Sequence, residues 1–282
     1  MFCLGLSRGK EIMFKPMLAK QFHKHRDKIK FPVLVQPKID GLRLLWDGHE
    51  FSSRTGKDSL TIPSAVLEEL NRGWRDRPLD GELYCPELIF EEISGALRRH
   101  SISPELARIK YWVFDFPGHW STRFRVKMLD GIFDREVERP TGYPLVLVPT
   151  WTADSFQEID RLQTECLKEG FEGVMIRDPE ASYMYKRTTA LLKYKKVEQL
   201  LTHIIGFKAG KGKHLGRLGA LIVECPNGKE CSVGTGFDDQ ERDAIWTDRN
   251  KWLGRQIVIE YQEETKYGVP RFPRYCGSPL DE

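Results

Sequence analysis

A lysine, an aspartate and an arginine lie close together near the start of the chain, in the segment Lys38-Ile39-Asp40-Gly41-Leu42-Arg43. A lysine amine is a nucleophile only when uncharged, whereas a free lysine has a pKa of about 10.4 and is protonated at pH 7. A site using Lys38 in this way needs neighbouring cations that disfavour the protonated form. The residues also fit a strand, a turn at Asp40-Gly41 and a second strand with surface charges. Four fixed positions recur by chance in roughly a few chains per thousand of this length, so the segment suggests chemistry without proving it.

The elements around this segment are predicted from hydrophobic patterning. Residues 31–54 read as strands with Asp47-Gly48 as a two-residue hairpin turn, which places Lys38 where one strand meets the next. Ser155 and Glu158 form a capping box for a later helix. The predicted helices are 64–71 (with Ser64 as cap), 90–98, 125–138 and 156–170, and further strands are predicted at 80–84, 109–116 and 172–177.

The pattern changes after about Val197. Short strands follow one another at 200–207, 218–225, 229–233 and 256–261, Asn227-Gly228 marks a tight turn, and one helix is predicted near 238–246. Such spacing is typical of a small β-barrel. We therefore predict two domains, 1–197 with mixed helices and sheets and 198–282 as the barrel.

Length and composition exclude several classes of protein. The 282 residues are 40% hydrophobic and 30% charged, which is typical of a folded globular chain. No run is long enough for a signal peptide core or a membrane span, so we expect a cytoplasmic protein of a bacterial cytosol or a virus-infected cell. The six cysteines contain no Cys-x-x-Cys pair and are expected to be free, although Cys225 and Cys231 flank a turn and are the pair to test.

The net charge of +3 is small, but basic residues are concentrated in one stretch. Between Lys186 and Arg217 there are nine lysines and arginines and one acid, Glu198. A solvated face and a track for a phosphate backbone explain this stretch equally well.

Several motifs in a fixed order give the lysine segment a clearer meaning. The segment resembles the nucleotidyl-transfer motif of the covalent nucleotidyltransferases, which include ATP-dependent DNA ligases, RNA ligases and messenger RNA capping enzymes. Further segments resemble the family's later motifs in the family's order: Ser53-Arg54-Thr55-Gly56, Asp80-Gly81-Glu82-Leu83, residues 111–116, residues 172–177 and Leu192-Lys193-Tyr194-Lys195. With the barrel and its GVPRFP segment at 268–273, the likeness is greatest to a minimal two-domain ATP-dependent DNA ligase.

The resemblance implies a fold and a site. The fold is α+β, with an adenylation domain of mixed, largely antiparallel sheets and helices, followed by an OB-fold. Lys38, Lys193 and Lys195 are implied as catalytic, and Glu82 and Glu172 as metal ligands. Arg43 and Arg54 would clamp ribose and phosphate oxygens, and Phe114 would stack on adenine rather than act only as a core aromatic. The implied nucleotide-binding set is Lys38, Asp40, Gly41, Arg43, Arg54, Glu82, Phe114, Glu172, Lys193 and Lys195.

The same resemblance implies cofactors, a partner and a reaction. ATP and Mg²⁺, with Mn²⁺ as an alternative, would serve a monomer that seals nicks in double-stranded DNA through a lysyl-AMP intermediate. The candidate DNA contacts are Lys186, Arg187, Lys208, Lys211, Lys213, Arg217, Arg271 and Arg274.

The chain departs from the family pattern at its two ends. Pro279 stands near the place where the last motif has an arginine, although Arg271 and Arg274 precede it, and residues 1–12 have no family counterpart. The sequence leaves open an RNA ligase, a capping-type enzyme or a non-catalytic DNA-end binding module, whereas nothing resembles the extra segment of NAD-dependent ligases.

Overall fold

The computed structural model describes residues 15–56, 60–99, 101–134, 142–262, 264–265 and 267–279. Residues 1–12, the end of the helix predicted at 125–138, and Cys3 lie at least partly outside these ranges.

The chain divides into two compact units, Met1–Lys195 and Lys196–Glu282. The strands of the first unit are β1 (Leu18–Gln21), β2 (Val33–Lys38), β3 (Leu42–Trp46), β4 (Phe51–Ser53), β5 (Leu79–Tyr84), β6 (Lys110–Asp115), β7 (Leu145–Leu147), β8 (Trp151–Ala153), β9 (Gly173–Arg177) and β10 (Arg187–Lys195). Its helices are α1 (Ser64–Gly73), α2 (Phe90–Arg98), α3 (Pro104–Arg108), α4 (Thr122–Asp134) and α5 (Phe156–Lys168). The second unit contains β11 (Glu198–Ala209), β12 (Leu218–Glu224), β13 (Glu230–Val233), α6 (Asp239–Thr247), α7 (Arg249–Trp252), β14 (Gln256–Tyr261) and β15 (Arg274–Tyr275).

Two five-stranded sheets form the first unit, in the orders β1-β10-β9-β2-β8 and β4-β3-β5-β6-β7. Most neighbouring strands are antiparallel, and β1 with β10 and β6 with β7 are the parallel pairs among the described strands. One large hydrophobic core packs against the second sheet and includes Trp46, Trp74 and Tyr111. In the first sheet, a separate core lies between the strands and the apolar face of α5.

Alternation along β6 shows why one face of the second sheet remains available for a site. Tyr111, Val113 and Asp115 are buried, whereas Trp112 and Phe114 between them are partly exposed. Successive side chains of a strand point to opposite faces, so one set fills the interior and the other lines a surface.

Strand register brings the predicted catalytic lysines together. Lys38 pairs with Gly173 across β2 and β9, and Gly173 pairs with Lys195 across β9 and β10. Gly173 is therefore the central position of a three-strand row with a lysine on each side. Lys193 lies two residues before Lys195 and so projects from the same face of β10.

The second unit is a five-stranded antiparallel sheet in the order β13-β12-β11-β14-β15. The 12-residue β11 curves between two partners, pairing with β14 through its first half and β12 through its second. Its core contains Ile204, Leu221, Ile257 and Ile259. The predicted α+β class with a small OB-fold is confirmed by this architecture and by the relatives described below, although the OB-fold unit also contains the helices α6 and α7.

Several local details differ from the predictions. The β3–β4 hairpin has a four-residue loop instead of the predicted two-residue turn. In it the Asp47 amide donates to the Glu50 carbonyl, and the Asp47 carboxylate stabilises the loop by accepting the amides of His49 and Glu50. Helix α1 is preceded by Pro63, and Ser64 is its first residue rather than its cap. Ser155 does cap α5, but Glu158 accepts the amide of Asp154 instead of closing the predicted box.

No membrane span is found among the described helices, the longest of which, α4 and α5, have 13 residues and polar faces. The cysteines described, Cys85, Cys166, Cys225, Cys231 and Cys276, are all free thiols, as expected.

Gly173 should be among the least replaceable residues of the first unit. Its φ of 143° is rarely adopted by other residues, and an added Cβ would collide with the carbonyl oxygen of Tyr194. We expect Gly173→Ala to lower the free energy of unfolding by about 3 kcal/mol, through backbone strain and overpacking. Urea unfolding monitored by circular dichroism measures this.

Gly131 provides the matched control, because it lies in α4 with open space where a Cβ would stand. Gly131→Ala should stabilise the protein by about 0.5 to 1 kcal/mol, since alanine loses less conformational entropy in a helix. Equal effects at the two glycines would contradict the role assigned to Gly173.

Candidate active site

The centre of the site is Glu172, whose carboxylate holds two lysines. One oxygen, Oε2, forms an ion pair with Lys38 Nζ, and the other, Oε1, forms one with Lys195 Nζ. The Glu172 amide also donates to the Lys38 carbonyl at 2.9 Å, so backbone and side chain are fixed together. All three side chains are 14 to 19% exposed, which leaves access from one side.

Lys193 and Arg54 add positive charge nearby. Burial lowers the pKa of Lys193, and the charges of Lys38, Arg187 and Arg54 lower it further. Arg54 itself is exposed, just after β4. Several cations thus share a small region, which disfavours the protonated form of a lysine.

Glu82 is a second carboxylate of this region. Its Oε1 accepts the amide of Gly41 at 3.1 Å. Burial raises the pKa of Glu82 and the Asp40 charge adds to this, although Lys38 and Arg43 oppose the rise. Gly41 is required here because a Cβ would collide with the backbone of Leu83. The turn at Asp40-Gly41 thus serves to bring its backbone against the carboxylate.

Arg43 is held in a bidentate pair with Asp80, with Nε to Oδ1 at 2.8 Å and Nη2 to Oδ2 at 2.5 Å. Burial alone would lower the pKa of Arg43, but the Asp80 carboxylate raises it overall. Its guanidinium carbon lies 5.2 Å from the centre of the Phe114 ring. The structure therefore places Arg43 beside Phe114, with one edge of its fork already bound to protein.

A buried charge network supports this region, and sequence reasoning did not identify it. Asp115 accepts Arg125 Nε at 2.7 Å and forms an ion pair with Arg177, and all three are at most 3% exposed. Gln36 accepts Arg177 Nη1 at 2.9 Å. Although burial would raise the pKa of Asp115, Arg177 and Arg125 together lower it.

The network joins the two sheets of the first unit around Phe114. The Phe114 carbonyl accepts Arg177 Nη1 at 2.7 Å and Gln36 Nε2 at 3.1 Å. Gln36 and Arg177 come from one sheet, and Phe114 and Asp115 come from the other. A signal was available, since Asp115 and Arg177 lie within two recognised motifs, but their pairing depends on contacts between distant segments.

The candidate DNA contacts lie in both units, and several are already engaged. Lys186 and Arg187 are exposed at the start of β10, and Arg187 Nη1 donates to the Ala19 carbonyl at 2.5 Å. In the second unit, Lys211 and Lys213 are exposed around a glycine-containing loop.

Four of the second-unit residues have contacts within the protein that reduce their availability. Arg217 pairs with Asp239 at 3.2 Å and with Asp243 at 3.0 Å. Lys208 Nζ donates to Ser232 Oγ at 2.6 Å, Arg274 lies 3.7 Å from Glu260, and Arg271 stands over the Phe272 ring.

Two family models account for most of the chain. Residues 16–195 match the ATP dependent DNA ligase domain, and residues 209–278 match the DNA ligase OB-like domain. The chain belongs to the ATP-dependent DNA ligase family. It is a ligase enzyme, and of the alternatives left by the sequence, the match favours DNA ligases over RNA ligases and capping enzymes.

Two DNA ligases, one bacterial and one viral, are similar to this chain over most of their own length. The DNA ligase of Haemophilus influenzae is 29% identical over 243 residues, covering 86% of this chain and 85% of that protein. A DNA ligase of African swine fever virus is 27% identical, covering 94% of this chain and 68% of the viral protein.

Solved ligase structures share the fold. A Lig E DNA ligase structure has a TM-score of 0.79 at 27% identity, covering 95% of this chain and all of that one. The Chlorella virus DNA ligase-adenylate has a TM-score of 0.56 at 26% identity, covering 96% and 99%.

The family implies ATP and a divalent metal. Among the described residues no group of three or more His, Cys, Asp or Glu side chains forms a metal cage. Glu82 and Glu172 are separate oxygen donors. Mg²⁺ accepts one or two carboxylates when phosphates and waters supply the rest.

Asp115 should contribute strongly to the stability of the ligase. Asp115→Asn leaves two buried arginines without their counter-charge, and we expect a loss of about 3 to 5 kcal/mol in the free energy of unfolding. Because the folded-state pKa of Asp115 lies below its ordinary 3.8, its contribution is complete above that pH and is lost as pH falls through the folded value. Urea unfolding at several pH values should show a constant gap from wild type above about pH 5 and a narrower one below about pH 4.

Asp130→Asn makes the same chemical change on the exposed face of α4. It should alter stability by less than about 0.5 kcal/mol. A similarly small effect of Asp115→Asn would show that the buried network is not needed for stability.

Proposed function

We propose that this ligase seals nicks with 3′-hydroxyl and 5′-phosphate ends in duplex DNA through a covalent lysyl-AMP intermediate on Lys38. The contact that carries the proposal is the Glu172 carboxylate, held between Lys38 and Lys195. It fixes the amine of a candidate nucleophile among cations that suit a transferring phosphoryl group. The likeness to a viral ligase-adenylate supports the same interpretation.

In the first step the Lys38 amine attacks the α-phosphorus of ATP. The N–P bond forms as the bond to pyrophosphate breaks, giving a phosphoramidate. The Lys38 ammonium loses one proton before the attack, and the amine loses a second as the N–P bond forms. Glu172 Oε2, in direct contact, is placed to accept the first and pass it to water, and the second goes to the released pyrophosphate. Lys195 and Lys193 then offset the negative charge on the α-phosphate oxygens.

The second sheet would hold the nucleoside. Phe114 presents a partly exposed ring for adenine, and Arg43 lies beside that ring. Glu82, whose Oε1 is already bound to Gly41, has a second carboxylate oxygen for a ribose hydroxyl. Arg54 is exposed and suited to phosphate oxygens, whereas Arg43 has most of one edge engaged by Asp80.

Glu172 would hold the divalent metal, which we propose to be Mg²⁺, with Mn²⁺ as a substitute, because the free oxygen of Glu82 is assigned to the ribose. The ion would neutralise phosphate charge during each transfer. Since both oxygens of Glu172 contact lysines, binding of a cation there would weaken the hold on the Lys38 ammonium.

The next two steps move AMP to DNA and then release it. The 5′-phosphate oxygen attacks the phosphorus of lysyl-AMP, the N–P bond breaks and Lys38 is regenerated. The 3′-hydroxyl then attacks the 5′-phosphate, loses its proton and displaces AMP. We propose a monomer that grips DNA with both units, using Lys186 and Arg187 in one and Lys211 and Lys213 in the other. Arg271 and Arg274 are the arginines present near the altered last motif.

Loss of the Lys38 amine should abolish the adduct. We expect Lys38→Ala to lower covalent labelling by ATP labelled at the α-phosphorus more than about 1000-fold, because covalent catalysis requires the nucleophile itself. Acid-labile radioactivity on the denatured protein is the measurement.

Lys196→Ala is the matched control, because Lys196 is exposed and pairs with Glu198 in the second unit. It should retain wild-type labelling. Label on the Lys38→Ala protein would overturn the assignment, and sealing of nicked RNA in preference to nicked DNA would overturn the proposed substrate.

Removing Lys211 and Lys213 together should weaken DNA binding mainly at low salt. Each phosphate contact contributes about 0.9 to the slope of log K against log salt, so the double alanine variant should reduce that slope by about 1.8. Fluorescence anisotropy with a nicked duplex at several salt concentrations measures the slope.

Arg217→Ala serves as the comparison, since Arg217 is paired with two aspartates. It should change the slope by less than about 0.9, the contribution of one phosphate contact. A larger change for Arg217 than for the lysine pair would contradict this division of the loop.

A further inference from the structure

Tyr183 is a buried tyrosine that lies outside the recognised motifs, in the segment between β9 and β10, and is 4% exposed. Its hydroxyl donates to Asp80 Oδ2 at 2.6 Å and accepts the Met17 amide at 3.0 Å. Burial raises the pKa of Tyr183, and the Asp80 charge raises it further. The phenol therefore stays protonated and remains a donor to Asp80.

Asp80 is shared between Tyr183 and Arg43. Its Oδ2 accepts from both residues, and its Oδ1 accepts from Arg43 Nε. The carboxylate is 1% exposed, so protein donors, rather than bulk water, set its orientation. Without the Tyr183 hydroxyl, the Asp80 carboxylate loses one of the hydrogen bonds that fix its orientation, and the Arg43 guanidinium bound to it is held less firmly.

The ring of Tyr183 also lies against the second arginine of this region. Arg125 Cζ is 5.7 Å from the ring centre, and Arg125 binds Asp115, the residue after Phe114. Tyr183 therefore lies between the two arginine–aspartate pairs that flank the Phe114 position. Packing and hydrogen bonding both act through it.

We propose that Tyr183 is a positioning residue for the adenine nucleotide, acting through Asp80 to hold Arg43 beside Phe114. This inference rests on the proposed function, because it assumes that the nucleotide occupies the face bearing Phe114. It also links β1 to the site, since the Met17 amide that precedes β1 binds the same hydroxyl. Tyr183 itself makes no contact with the nucleotide in this proposal.

Tyr183→Phe removes the hydroxyl and keeps the ring. In the self-adenylation assay we expect KM for ATP to rise about tenfold while kcat changes less than about threefold, because Arg43 is misplaced and Lys38 is not. The measurement is made well below the melting temperature of the variant. A lower melting temperature with an unchanged KM would show a purely structural role and overturn the proposal.

Tyr185→Phe is the matched control. Its ring contacts that of Tyr183 at 5.1 Å, but it is 44% exposed. The same chemical change there should leave KM within about twofold of wild type.

A double-mutant cycle tests the route through Asp80. If Tyr183 acts on Arg43 through that carboxylate, Tyr183→Phe should add less than about twofold to KM in an Asp80→Asn background. If the effects of the two substitutions on KM multiply instead, the two residues act independently and the proposed action through Asp80 is wrong. Should Tyr183→Phe be poorly folded, the cycle is repeated in the Gly131→Ala background, which is expected to be more stable.

Calorimetric binding of ATP separates this inference from the proposed function. A wild-type protein that binds ATP but forms no adduct would disprove the lysyl-AMP reaction, while the dissociation constants of wild type and Tyr183→Phe would still decide the positioning role. We expect the dissociation constant to rise about tenfold in Tyr183→Phe, and equal constants would disprove it.

Discussion

One carboxylate between two lysine side chains organises the candidate active site. Glu172 contacts Lys38 on one strand and Lys195 on another, and its own backbone amide binds the carbonyl of Lys38. Long lysine side chains have many rotamers, and fixing them costs conformational entropy. A shared, half-enclosed carboxylate lowers this cost by giving both amines a defined position before a nucleotide arrives. The glycine beside it permits the three strands to approach closely enough for the contact.

The second sheet holds the Phe114 ring and the Arg43 guanidinium in a fixed position relative to each other. Two arginine–aspartate pairs with buried carboxylates achieve this, one through Asp80 and one through Asp115. Isolated buried charges are costly, and paired ones are tolerated when their remaining hydrogen-bonding groups are satisfied. Gln36 and Tyr183 supply part of that satisfaction, and both come from outside the second sheet.

The basic residues between Lys186 and Arg217 lie in several different local environments. Lys195 pairs with the Glu172 carboxylate, and Lys193 lies close enough to Lys38 to feel its charge. Arg217 is paired with aspartates of α6, whereas Lys211 and Lys213 are exposed. Their charge alone does not distinguish these residues from one another. Their different neighbours separate residues suited to phosphoryl chemistry from those suited to a DNA backbone.

The sequence by itself determined the order of motifs, the barrel and most strands and helices, because these depend on residue type and local periodicity, and family likeness added the α+β class. It also indicated Lys38, Glu82, Glu172 and Lys195 through family likeness. Only the tertiary structure decided which groups meet: Asp80 with Arg43 and Tyr183, and Asp115 with Arg125 and Arg177. These partners are separated by 10 to more than 100 residues, and strand pairing across two sheets sets their distances. No local pattern encodes such a meeting, since each charge alone is equally compatible with an exposed surface position.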